Sequence, residues 1–421
     1  MRKENEDMRI LWLCNMVPGR VLGVQGKGLW MDHVLDGLLR LGITVHVLGR
    51  GTKAASGTPE ERLSYTAFEE PVPYRYYPEL EQQFCAELKG FQPDVIHIWG
   101  TEYGHTLAMM KACETLNLLD RTVISIQGLC SFVTRHHNEG FPQSIIHKFS
   151  LRDLIRRENL ALQAQVYTKR GKLELEALAM AHHVIGRTEW DRACTQQVSP
   201  NAEYHFCNET MRENFYTGTW SYDNCCKHRI FAPNWTDPSK GFHNLLEAFP
   251  EILRHYPDAT IWVTGKSCYP ATWKDRLRMR AHQKYLIDLI EKNGLKDKIH
   301  FTGRLSAEEM KQAFLAANVF VLPSPVENSP NTVCESMLRG GPCVSTAVGG
   351  LMRMLRHGEE GFLYQSTAPY MLAYFVKQVF GMGKDAEKLG LAAQAHARKT
   401  HDSEHNLNTL VAIYKTVGGK E

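Results

Sequence analysis

The eleven cysteines form no Cys-x-x-Cys pair and show no metal-ligand spacing; Cys225 and Cys226 are the only close pair. That argues against a cysteine-held metal and for reduced thiols in a cytoplasm. No apolar run approaches the roughly 20 residues that span a bilayer. The short apolar stretch before Pro18 and Gly19 follows acidic residues, so it does not read as a secretory signal. Charge nearly cancels, with 49 Lys and Arg against 46 Asp and Glu and a formal net of +3, which excludes a strong global field for nucleic acid. No Asp-x-Asp occurs either. The carboxylate pair that bridges a divalent cation to a diphosphate is therefore missing, and no metal is expected.

What is present is alternation. A chain of 421 residues suggests two domains of about 200 residues each. The first half opens with a strand at Arg9–Cys14, a glycine-punctuated loop, an amphipathic helix over 29–40 and a strand over 43–49. Residues 94–99 and 122–126 read as buried strands, 151–181 as a long helical region, and 182–193 as a further strand leading into a helix. The polar, cysteine-bearing stretch 221–227 marks a boundary, giving domains 1–224 and 225–400 and a tail 401–421. In the second half, strands alternate with helices over 240–255, 273–293 and 307–317, and a last helix covers 404–417. Strand, helix and strand in that order require parallel sheets, so the fold class is α/β.

Basic residues gather locally. Lys148, Arg152, Arg156, Arg157, Lys169, Arg170 and Lys172 lie among leucines in 147–172, a pattern suited to an anionic membrane surface or to an ordinary solvated helix face.

The most informative segment is a strand-to-helix junction. Val319–Leu322 has strand character, and Pro323, Pro325 and Pro330 exclude a helix in the loop that follows. Asn331 is a suitable N-cap for a helix over Asn331–Arg339, which Gly340, Gly341 and Pro342 stop. Glu327 stands in the loop and Glu335 one turn into the helix, on the face of Asn331. Asn328, Ser329 and Pro330 connect them. Free amides of Asn331, Thr332 and Val333 would favour a phosphate, so the ligand expected has a phosphate in its middle and hydroxyls at both ends. A nucleotide-sugar has that form. The duller alternative is a dipole-complementing Glu335 and a solvated Glu327.

The stretch ENSPNTVCE resembles the donor-site signature of the family-four retaining glycosyltransferases of GT-B fold (glycosyl transferases group 1), of the polysaccharide-biosynthesis type. The likeness extends through FAPNWTDPSKGFHNLLEAFPEIL, FTGRLSAEEM, AVGG and EEGFLY, and into the first half through PDVIHIWGTEYGH and ISIQGL. The resemblance implies two Rossmann-like doubly wound domains facing across a cleft. The second would hold a nucleotide-sugar, UDP- or GDP-linked, and a glycan or lipid-linked acceptor would approach from the first. It implies no cofactor beyond this co-substrate, a last helix that packs back on the first domain, and a cytoplasmic location, with residues 147–172 as a peripheral contact at the inner membrane face.

By the same resemblance, Lys240 before Gly241 meets the donor diphosphate and Glu327 orients sugar hydroxyls, which makes these the candidate catalytic residues. Glu335 would hold the ribose. Gly26 and Gly28 resemble the glycine loop that closes over the diphosphate. Two departures stand out. Trp235 occupies the place of a second cation, leaving Arg304 and Lys266 as candidates, and Gln127 stands where many relatives carry a histidine. Glutamine is no acid or base near neutral pH, so Gln127 would act by hydrogen bonding. His97, Trp99 and Glu102 would shape the cleft, His97 as a buried structural residue. An epimerase or hydrolase on the same fold, and a binding module without turnover, are the competing readings.

Overall fold

A computed structural model describes residues 8–22 and 30–419. The chain forms two compact units: the first holds the chain up to Thr134, Val166–Arg212 and the residues from His401 on, and the second holds Arg135–Gln165 and Glu213–Thr400. The second unit thus takes a stretch from within the first half, which nothing in the sequence announces. Asp153 accepts a hydrogen bond from the Ala281 amide at 2.7 Å and Glu158 pairs with Arg280 at 3.2 Å, so polar contacts far apart in sequence hold this excursion.

The first unit's sheet contains β1 (Arg9–Cys14), β2 (Thr44–Gly51), β3 (Ala55–Glu60), β4 (Leu63–Glu69), β5 (Val95–Trp99), β6 (Thr122–Ser125), β7 (His183–Gly186) and β8 (Glu203–Phe206). Their spatial order is β3-β4-β2-β1-β5-β6-β7-β8, parallel except for the β3–β4 pair. Every residue of β5 and β6 is buried, as parallel strands covered on both faces must be. The second unit's sheet contains β9 (Arg229–Ala232), β10 (Thr260–Val263), β11 (Ile299–Phe301), β12 (Val319–Leu322), β13 (Cys343–Thr346) and β14 (Phe362–Tyr364). It is wholly parallel, in the order β11-β10-β9-β12-β13-β14. Strand order reverses between β1 and β5 in one sheet and between β9 and β12 in the other. Ligands of doubly wound sheets bind at the carboxyl edge of such a reversal.

Two predicted helices are each split in two. The 151–181 region is Leu151–Arg156 and Leu160–Ala179, interrupted where Arg157 takes a left-handed φ of 51°. The 273–293 region is Trp273–Leu277 and Ala281–Lys292. The 240–255 helix begins at Phe242, because Pro238–Lys240 is a 3-10 turn ending in Gly241 at φ 68°.

The last helix, Ser403–Val417, is fastened within the first unit by a buried polar contact. Trp12 Nε1 donates to the Tyr414 hydroxyl at 3.0 Å, and His97 Nδ1 lies 2.6 Å from the same oxygen. His97 Nε2 reaches the Ser125 hydroxyl at 2.7 Å, and burial holds the imidazole well below its ordinary pKa. A neutral structural histidine results. Tyr414→Phe keeps the ring but strands two buried polar atoms, each costing about 1–3 kcal/mol. Thermal or urea unfolding should show a clear loss of stability, and a midpoint equal to the parent's would show that this hydroxyl does not fasten the helix.

Candidate functional site

The second unit's reversal point is built around one glycine. A Cβ on Gly241 would stand 2.0 Å from the Pro323 carbonyl oxygen, so only glycine lets the helix Phe242–His255 begin against the exit of β12. Asn244 Nδ2 donates to that carbonyl at 3.4 Å. The approach brings Lys240 Nζ within 2.6 Å of Glu327 Oε1, their side chains 33% and 10% exposed. Behind Glu327, Gly349 has φ 50° and leaves 1.9 Å between a Cβ and the Glu327 carbonyl, to which the Gly350 amide donates at 3.1 Å. The AVGG stretch thus packs against the backbone of Glu327.

The helix start differs from the sequence expectation. Pro330 is the N-cap and Asn331 the first helical residue, so Asn331 makes no capping bond. The Val333 amide donates to the Pro330 carbonyl at 3.0 Å, and so is not available to a phosphate. Tightening of the first turn explains this. Asn331 and Thr332 are half-buried, Ser329 likewise, and Asn328 and Glu335 are buried. Ser324, which sequence reasoning passed over, is also buried there, and its hydroxyl has no hydrogen-bond partner among the described residues. Its only sequence signal is its place just after a strand.

Arg304 and Lys266 are exposed at neighbouring strand ends, while Lys240 is the cation on Glu327. Trp235 fills the core instead. Its indole N–H donates to the Lys266 carbonyl at 2.8 Å and its ring lies edge-on to Phe301. The excursion supplies a further missed feature, since the Phe141 ring packs 3.8 Å from that of His243, two residues past Gly241. Burial, and then neighbouring His282, push His243 down to about 3, so its imidazole is neutral.

In the first unit, Gly26 and Gly28 lie outside the described residues. Gln127 donates to Glu209 Oε1 at 2.9 Å, and Arg187 Nη1 binds Glu209 Oε2 at 2.7 Å with both charged side chains buried. Trp99, Asn208 and Asn406 line the pocket around this trio. Gln127 is therefore engaged in hydrogen bonding. Nearby, Glu102 follows β5 and accepts from the Thr101 amide at 2.9 Å. Burial, and then the Glu174 carboxylate, push Glu102 up to about 7. Glu174 is itself buried and accepts from the Thr101 hydroxyl and from the Cys130 and Ser131 amides.

This raised pKa has a signed consequence. The folded chain holds the Glu102 proton more tightly than the unfolded chain, whose glutamate titrates near ~4.3. Stability from this group is present below that value and is lost as pH rises to about 7. Glu102→Gln should remove that loss, so variant and parent converge near pH 4 and the variant is the more stable at pH 8. Parallel stability profiles across that range would refute the assignment.

Residues 230–396 match the family described as Glycosyl transferases group 1. An uncharacterized glycosyltransferase of Methanocaldococcus jannaschii is 30% identical over 42% of this chain and 42% of its own length. The chain thus spans about two fifths of the length of that curated relative. Sucrose-phosphate synthase from Thermosynechococcus elongatus superposes with a TM-score of 0.71 over 98% of this chain and 100% of its own, at 16% identity. HepE of Anabaena, in a complex with UDP-glucose, gives 0.65 over 96% and 99%, also at 16%. These likenesses show the fold, which is GT-B with two Rossmann-like units.

Proposed function

We propose that this chain, whose residues 230–396 match the glycosyl transferases group 1, transfers a hexose from a nucleotide-sugar to a glycan or lipid-linked glycan. The observation that carries the reading is the Lys240–Glu327 pair at 2.6 Å, held where the strand order reverses within that matched segment. A cation and a carboxylate at one reversal point suit a donor that carries a phosphate beside hydroxyls. Lys240 meets the diphosphate, and Glu327 orients the sugar. Glu335 holds the ribose from one turn inside the helix, and Asn331 and Thr332 offer the first amides.

The reaction proposed retains configuration, with the leaving phosphate oxygen taking the acceptor proton and Lys240 with the helix amides neutralising the departing charge. No step calls for a divalent cation, so turnover should persist in EDTA. UDP-sugars are the first donors to try, since the similarly folded HepE was solved with UDP-glucose. Surface polysaccharide assembly is the setting proposed.

Lys240→Ala should lower both kcat and kcat/KM by about 10²–10³-fold, as loss of one preorganised donor does. Glu327→Ala should lower kcat with nucleotide affinity little changed. Glu335→Ala should weaken donor binding by about tenfold to a hundredfold, the loss of one or two charge-assisted hydrogen bonds. A Lys240→Ala enzyme within threefold of the parent would sink the assignment. Isomerised or free sugar from donor alone would favour the epimerase or hydrolase, and tight binding without turnover across acceptors the binding module.

The excursion supports a lipid-linked acceptor at the cytoplasmic face of an anionic membrane. Phe149, Leu151, Leu154 and Ile155 are all exposed, Ile155 at 73%, beside exposed Lys148, Arg156 and Arg157. Ser150 and Asp153 form a capping box that holds the short helix Leu151–Arg156, and Asp153 ties it to Ala281. Apolar side chains displayed on a fixed turn and ringed by cations suit a bilayer whose headgroups are anionic. Vesicles rich in phosphatidylglycerol should sediment the protein and phosphatidylcholine vesicles should not, and Leu154→Ser with Ile155→Ser should abolish the difference. Equal partition to both lipids would remove the membrane from the proposal.

A further inference from the structure

At the outer edge of the first unit's sheet, on β7 and β8, three metal-ligating side chains converge. The parallel register pairs His183 with Glu203 and Ile185 with His205. Register partners share a face, as do residues two apart, so His183, Glu203 and His205 all project from the same face. His183 Nδ1 lies 3.1 Å from His205 Nε2 and 3.5 Å from Glu203 Oε2, while His205 Nδ1 lies 3.8 Å from Glu203 Oε1. One donor atom from each residue falls within 4.8 Å of the other two. Donors bound to zinc at about 2.0–2.1 Å in a tetrahedron stand about 3.3 Å apart. The 3.1 and 3.5 Å separations from His183 Nδ1 lie near that value.

We propose that His183, Glu203 and His205 bind a zinc ion, with the fourth position open to water. Two imidazoles and one carboxylate are a donor set that zinc accepts, and hard cations such as magnesium prefer all-oxygen shells. The adjacent His182 is engaged elsewhere, on Asp120 at 2.6 Å. His183 and Glu203 are the first residues of β7 and β8, and His205 is the third of β8's four. The chemistry proposed above does not call on this ion. The ion fastens β8, a strand of four residues whose one sheet neighbour among the described residues is β7. A hydrogen bond between the two rings would explain their 3.1 Å contact with no metal, and binding experiments separate the two cases.

The test uses the full chain with any affinity tag removed, stripped with chelator and dialysed. Titration of zinc against a chromophoric chelator should show one equivalent bound, with His183→Gln, His205→Gln and Glu203→Gln each at least about tenfold weaker. Glu203 is exposed, so Glu203→Gln folds whatever becomes of the histidine variants. Cobalt in place of zinc should give the visible absorption of a four-coordinate ion in the parent and not in Glu203→Gln. Parent protein that takes up no zinc, or any one of the three variants binding as tightly as the parent, overturns the site.

Discussion

The approach of the Gly241 backbone to the Pro323 carbonyl is the constraint on which the second unit's site depends. β9 and β12 are neighbours in the sheet, but the segments leaving them could splay apart beyond its edge. With no Cβ at Gly241, helix Phe242–His255 begins directly against the exit of β12, and Lys240 reaches Glu327. Gly349 repeats the device on the other side, its bare Cα lying under the Glu327 carbonyl. Two glycines at positive φ thus fix a cation and a carboxylate that are 87 residues apart.

That pair sets terms for any anionic ligand. A half-buried ammonium beside a carboxylate is neutralised before the ligand arrives, and a phosphate must compete for it. On the reading proposed, the competition is productive. When the diphosphate draws Lys240 away, Glu327 is left with acceptor capacity and no cation, and sugar hydroxyls are the donors at hand. The carboxylate then becomes a sugar contact only once the phosphate is seated, which couples recognition of the two halves of the donor.

Much of this architecture was legible, and the reasons are physical. β1, β5, β6, β9 and β12 are largely apolar runs, β5, β9 and β12 meeting glycine or proline directly at their ends, and burial on both faces demands such runs. The junction at 319–339 read correctly as strand, loop and helix because prolines punctuate it. The β3 strand was invisible, since Ala55–Glu60 is polar and largely exposed and takes its form from pairing with β4. The excursion was invisible too, because its ties to the second unit run through Asp153, Glu158 and Phe141, and their partners lie more than a hundred residues away. Asn331 misled as a cap because the preference for asparagine is statistical, whereas Pro330, at φ −71° and ψ 118°, already closes the helix start. Composition and spacing could not pair Lys240 with Glu327; only the resemblance suggested that both belong to one site.

The two departures from that resemblance have structural answers of different kinds. Where the resemblance implies a second cation, Trp235 packs instead: its indole joins the core and donates to the Lys266 carbonyl, and Lys240 faces Glu327. Where the resemblance implies a titrating histidine, Gln127 cannot titrate. Glu209, already bound by Arg187, would favour the charged form of any imidazole set beside it. Glutamine gives the same carboxylate a neutral donor whatever the pH. Burial raises two neighbouring carboxyls of the first unit instead, Glu102, one strand over from Gln127, and Glu174. Proton-dependent behaviour there should follow these two carboxyls and not Gln127, which has no proton to exchange near neutral pH.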